Sequence, residues 1–234
     1  MVENKPKLVV ALIGPPGSGK GTQGMLLAEK LGLYYFETSK ILEGKFKEAT
    51  DDEFVEVNSQ KFFIKDEHQL WLDGILCSPP FVSYLVQEKI KGLHQKGENL
   101  LLSGSPRTLH EAQEIMPFLA GLYGAGNIKI VFLDISAQET IFRNSNRRIC
   151  DLMRHPILYN EETKDLTKCA FDGSDLVKRK GLDDPETIKI RLTQFEERTM
   201  PILKYCEENG YKVSKVNGEG SVAKVFERII KSLS

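Results

Sequence analysis

The chain has 234 residues, of which 41% are hydrophobic and 28% charged, and its formal net charge is −1. Those values suit one soluble globular α/β domain with inserted lobes, large enough to bury a real core. A near-neutral charge excludes any global electrostatic case for nucleic acid or an anionic membrane as partner, so phosphate binding has to come from local basic clusters. No apolar run approaches the ~20 residues needed to cross a bilayer. Four cysteines suit a reducing compartment, and the opening M-V-E-N-K-P-K is read as leaving no room for a signal peptide, so the expectation is a cytoplasmic protein, monomeric by default.

Residues 8–13 form an apolar run of the kind buried on both faces of a parallel sheet. The run breaks into G-P-P-G-S-G-K-G-T, residues 14–22. Gly14, Gly17 and Gly19 let the backbone turn tightly with amides aimed at an anion, and Lys20 adds a mobile positive charge at a helix N-terminus. This is a phosphate cradle of the P-loop kind, and one detail narrows it: Gly21 separates Lys20 from the hydroxyl residue Thr22. In that form the stretch from Gly14 to Gln23 resembles the adenylate kinase family of nucleoside monophosphate kinases.

Further along, residues 23–31 read as an amphipathic helix closed by Gly32, and 33–37 as a short aromatic strand. Thr38 and Ser39 fall where that strand meets a helix, on the sheet edge where ligands bind in doubly wound folds. Residues 40–72 are read as helical with a break at 49–51. The rest reads as helix 81–97, strand 99–102, strand 128–134, helix 137–149 with Ser136 as its N-cap, one long helix 184–209 with Pro185 in its first turn, strand 211–216 and helix 221–233. Alternating strands and helices after a P-loop predict a parallel, doubly wound sheet of five strands flanked by helices.

The resemblance covers nearly the whole chain and implies more than spacing does. It implies a strand order 2-3-1-4-5. It also implies a core of residues 1–37, 75–149 and 184–234, a monophosphate-binding lobe at 38–74 and a lid at 150–183. Gly17, Ser18, Gly19, Lys20, Gly21 and Thr22 would hold ATP, with Thr22 on its Mg²⁺. The motif G-S-P-R-T keeps Gly104, Pro106, Arg107 and Thr108, and Arg107 would fork onto the acceptor phosphate. Arg143 and Arg147, i and i+4 on one helix face, match the positions over the donor base and on its phosphates, with Arg148 adding to the basic cluster. Arg191 matches another phosphate ligand, and Arg179 is a further candidate. Cys77 and its neighbours would line the acceptor base. In the lid, Cys150 and Cys169 with Asp172 fall where some relatives hold structural zinc; Met153 replaces one ligand there and His155 could substitute, the alternative being a lid without metal held by packing.

Several positions depart from the family pattern. Ser103 stands where an aspartate is expected, Lys40 for another aspartate, Glu43 for a monophosphate-binding arginine, and Glu111 for the glutamine that reads adenine. An ionised Glu111 only accepts hydrogen bonds, which suits guanine's N1–H and N2–H₂ rather than adenine; alternatively its carboxylate faces solvent and the backbone reads the base. The expected activity is transfer of the ATP γ-phosphoryl group to AMP. The alternatives are another acceptor such as GMP, or a nucleotide-binding module whose acceptor site has decayed.

Overall fold

The computed structural model describes residues 7–50, 52–179 and 183–233. Residues 1–6 of the expected core, Asp51 at the expected helix break, 180–182 of the expected lid and Ser234 lie outside the described residues.

In chain order the elements are β1 (Val9–Ile13), α1 (Lys20–Leu31), β2 (Tyr34–Glu37), α2 (Thr38–Glu48), β3 (Phe54–Val57), β4 (Gln60–Phe63), α3 (Ile64–Leu72), α4 (Pro79–Gln95), β5 (Leu100–Ser103), α5 (Leu109–Tyr123), β6 (Ile128–Asp134), α6 (Ala137–Asn146), β7 (Arg148–Cys150), β8 (Pro156–Ile157), β9 (Leu176–Val177), α7 (Pro185–Gln194), a π-turn at Phe195–Thr199, α8 (Pro201–Glu208), β10 (Lys212–Asn217) and α9 (Val222–Leu233). Five strands pair in parallel in the order β10-β6-β1-β5-β2, which is the order 2-3-1-4-5 when they are counted along the chain.

The apolar run of β1 is buried because the sheet is covered twice. Val9, Ala11 and Ile13 pack into one core with Phe81, Val86, Ile115 and Ile202 from α4, α5 and α8. Val10 and Leu12 pack into the other with Leu27 of α1 and Val225 and Ile229 of α9. Strands between two helical layers need apolar residues at successive positions, which is why no alternation shows in β1. Because the five strands run parallel, the loops after β1, β2, β5, β6 and β10 all emerge on one edge.

Three expectations are corrected. The stretch 40–72 is not helical throughout: β3 and β4 form an antiparallel hairpin inside it, turning at Asn58 and Ser59, whose φ values are +51° and +65°. Two successive left-handed residues make the tight turn that matches strand twist. Val55 and Phe62 face inward together while Phe54 and Phe63 stack edge-on outside, so F-V-E-V-N-S-Q-K-F-F is a period of two rather than 3.6.

The second correction concerns α6, which stops at Asn146 rather than 149. Arg147 is extended (φ −65°, ψ 132°) and Arg148 begins β7, so Arg143 and Arg147 do not share a helix face. Thirdly, 184–209 is interrupted. Pro201 has no N–H to donate and its ring would strike a carbonyl one turn back. The chain widens into the π-turn just before it, where Met200 N donates to Phe195 O at 3.0 Å. Among the described residues, no helix is long and apolar enough to cross a membrane.

Candidate active site

The loop between β1 and α1 closes on itself, Ser18 N donating to Pro15 O at 3.1 Å. Gly17 has φ +79°, and a Cβ there would lie 2.5 Å from Nδ2 of buried Asn144, so both backbone and space require glycine. Lys20 folds back over this loop, its Nζ donating to Gly14 O (2.6 Å), Pro15 O (2.9 Å) and Ser18 Oγ (3.3 Å). Burial and the nearby charges of Arg107, Arg191 and Arg147 push the Lys20 amine well below its usual range. An ammonium whose bonds go to neutral oxygens, with three guanidiniums around it, is a site prepared for a polyanion.

Each cation arrives from a different element. Arg107 follows β5 in the loop 104–108, whose Ser105–Pro106 peptide is cis. Gly104 sits at φ +101°, and a Cβ there would come within 2.7 Å of Arg107 Nη2, so the guanidinium lies across the loop only because residue 104 has no side chain. Arg191 stands on the last turn of α7. Burial first, then Arg179, Arg147 and Arg107, lower its pKa, with Asp183 opposing.

Arg147, freed from α6, donates through Nε and Nη2 to the two oxygens of Asp183 at 3.1 and 2.6 Å, and through Nη2 to Asn144 Oδ1. This bidentate pair ties the end of α6 to the chain entering α7. Neither Asp183 nor Asn144 was singled out from sequence; the signal available was the double acid before Pro185, of which Asp184 is the N-cap.

Arg143 lies elsewhere. It pairs with Glu139 at 2.6 Å and donates to Gly17 O (3.4 Å) and Gly218 O (3.1 Å), bridging the P-loop to the turn after β10. Arg148 does not join the cluster: it donates to the carbonyls of Leu166 and Thr163. Arg179 does join it: burial first, then the Arg147 charge, lower its pKa, with Asp183, Glu43 and Glu37 opposing.

Beside Arg107 opens a pocket walled by Leu42, Trp71, Ile75, Leu76 and Val82, with Thr38, Cys77 and Glu111 as its polar members. Thr38 Oγ1 donates to Ser105 Oγ at 2.8 Å. The Cys77 thiol donates to Glu67 O at 3.4 Å, and burial pushes its pKa up to about 12. Ser39 sits outside, donating to Glu37. Glu67, another residue missed from sequence, is buried and accepts from Ser78 N at 2.7 Å, fastening α3 to the start of α4.

Glu111 is 1% exposed, so its carboxylate does not turn to solvent. Thr108 is the N-cap of α5, its Oγ1 accepting from Glu111 N at 3.2 Å, and Glu111 Oε2 reaches back one residue further to accept from Arg107 N at 2.8 Å. Burial pushes its carboxyl up to about 7 against the pull of the Arg107 N–H, the Arg107 charge, the Thr108 hydroxyl and Arg198.

At the end of β7 in the three-stranded sheet β8-β7-β9, Cys150 meets His155, just before β8, and Cys169 from the loop ahead of β9, their ligand atoms all within 4.8 Å of one another. Asp172 Oδ2 accepts from Cys150 Sγ at 2.9 Å, and that bond with the Ser174 N–H holds its carboxyl well below the usual range. Two thiols, an imidazole and a carboxylate are the donor set that tetrahedral zinc takes, and Met153 is left outside it.

The adenylate kinase family pattern matches residues 12–211. The chain is 31% identical over 226 residues to an adenylate kinase of Chlamydia pneumoniae, covering 96% of this chain and 97% of that protein. Adenylate kinases of Oceanobacillus iheyensis (31% over 220 residues, 93% and 95% covered) and Methanothrix thermoacetophila (30% over 226 residues, 96% and 98% covered) are similar along almost their full length. A P-loop lysine ringed by arginines, on the carboxyl edge of a sheet ordered 2-3-1-4-5, stands in the same chain as that end-to-end likeness, and the chain belongs to the adenylate kinase family.

Proposed function

We propose that this chain moves the γ-phosphoryl group of ATP reversibly to a nucleoside monophosphate, with AMP as acceptor and two ADP as products. The gathering of Arg107, Arg147 and Arg191 close enough to the buried Lys20 for their charges to lower its pKa carries the reading. Phosphoryl transfer asks a protein for in-line positioning, charge neutralisation and exclusion of water more than for covalent chemistry.

The amides of residues 17–22 and Lys20 would hold the donor β- and γ-phosphates, and Arg143, between Gly17 and Gly218, would cover the donor nucleotide. Arg107 would grip the acceptor phosphate, with its base in the adjoining pocket among Thr38, Cys77, Gly104 and Glu111. Arg147 and Arg191 would close on the group in flight. Magnesium arriving with ATP would neutralise phosphate charge, and Thr22 in the first turn of α1 would hold it. No general base is needed, since the acceptor oxygen is already anionic. Residues 38–74 and 150–183 would form the lobes that close over the substrates and shut out water. In the second of these, Cys150, His155, Cys169 and Asp172 would hold structural zinc.

A coupled assay of ADP formation with MgATP and AMP, run beside Lys20→Ala, tests the reading. The variant should lose on the order of a hundredfold or more in kcat. ATP binding in calorimetry without any turnover would instead mark a nucleotide-binding module.

A further inference from the structure

The acceptor pocket is apolar except at a few points, and most of those are spent. The Thr38 hydroxyl is given to Ser105 and the Cys77 thiol to Glu67. Glu111 keeps capacity. Its Oε2 takes one short bond from Arg107 N, and its Oε1 has only a 3.3 Å contact with Thr108 Oγ1. Each oxygen retains a lone pair, and the side chain lines the pocket next to the arginine that would hold the phosphate. Resting on the acceptor reading above, we propose that Glu111 reads the purine edge in two protonation states, the neutral acid pairing with adenine and the carboxylate with guanine, so that the preferred acceptor shifts from AMP towards GMP as pH rises.

The hydrogen-bond inventory makes the two states complementary to different bases. A neutral carboxylic acid has one C=O acceptor and one O–H donor, which match the adenine N6–H₂ donor and N1 acceptor. A carboxylate has two acceptors, which match guanine N1–H and N2–H₂. The mismatched pairings leave a buried donor facing a donor, or an acceptor facing an acceptor.

The surroundings set the balance between the states. Arg107 in the loop before α5 and Arg198 in the π-turn favour the anion, as do the Arg107 N–H and the Thr108 hydroxyl. Burial opposes them and wins, bringing the carboxyl to about 7. Across the pocket Cys77 is a neutral thiol, and Glu67 behind it is tied to Ser78 N.

Equilibrium binding of AMP and of GMP to the full chain, at about pH 6 and about pH 8.5, tests this on the parent and on Glu111→Gln. The second phosphate ionisation is common to both ligands and cancels in the ratio of their affinities. In the parent that ratio should move from AMP towards GMP by on the order of a hundredfold across the range. In Glu111→Gln, which keeps the cap and cannot ionise, it should favour AMP and stay flat. A residue that only capped α5 would change both affinities together. A parent ratio that does not move, a glutamine variant that drifts like the parent, or failure of either purine to bind overturns the proposal. If the ratio moves as expected while Lys20-dependent turnover is absent, the transferase reading falls and the base-reading role of Glu111 stands.

Discussion

Glu111 shows how much one buried group can govern. The same carboxyl closes the first turn of α5 and lines the acceptor pocket. Its pKa rises from 4.5 to about 7, burial being the first cause, so between those values the folded chain binds more protons than the unfolded one. The stability lent by the neutral acid is therefore fully present below 4.5 and is lost as pH rises through 7. Glutamine preserves the cap without the charge. Glu111→Gln should accordingly be more stable than the parent at about pH 8 by roughly 3 kcal/mol, with the gap closing towards pH 4.5. Urea midpoints at the two pH values measure this; a constant gap would mean that the carboxyl is not pressed towards neutrality by its surroundings.

At the scale of elements, the small sheet β8-β7-β9 is held by few residues. β8 and β9 are two residues long each, and the exposed Leu152, Met153 and Phe171 contribute little burial. The Cys150, His155, Cys169 and Asp172 cluster would then be what fastens this segment, since a structural metal site adds folding energy directly. Protein purified without chelator should carry close to one zinc per chain, and stripping it should lower the unfolding temperature and raise proteolysis within 150–179. Zinc near zero in metal analysis would leave the segment to its hydrogen bonds, those of Cys150 with Asp172 and of Arg148 with the Leu166 and Thr163 carbonyls among them.

For the molecule as a whole, a net charge of −1 conceals strong local asymmetry. The cations gather on the carboxyl edge of the sheet, each brought there by a separate loop or helix, and they repel one another in the absence of anions. Nucleotide binding relieves that repulsion and so stabilises the fold by linkage. ATP at a hundred times its Kd should add about 2.7 kcal/mol to the unfolding free energy. Lys20→Ala at the same ATP concentration should recover only a small part of it. Thermal melts of both proteins with and without ATP read the difference, and equal shifts would place ATP away from the P-loop.

The phosphate cradle was legible because its chemistry is local: strand, glycines, lysine and helix start are consecutive from Leu8 to Thr22. Burial of β1 on both faces was legible for the same reason, since two covered faces leave an unbroken apolar run. The hairpin at 54–63 was written just as locally, in the alternation around Asn58-Ser59, but its outer face mixes Glu56 and Lys61 with the exposed Phe54 and Phe63 and so hides the alternation until one asks which side chains are inside. What only the tertiary structure decided are relations across the chain. The end of α6 at Asn146 follows from Arg147 reaching Asp183, 36 residues on. The π-turn absorbs a proline that helical periodicity cannot register. Glu111 reads as a charged surface residue in sequence, and becomes a near-neutral acid only because α2, α3 and α4 close the pocket around it. Local chemistry is carried by neighbours along the chain, whereas burial and charge balance depend on which distant segments meet.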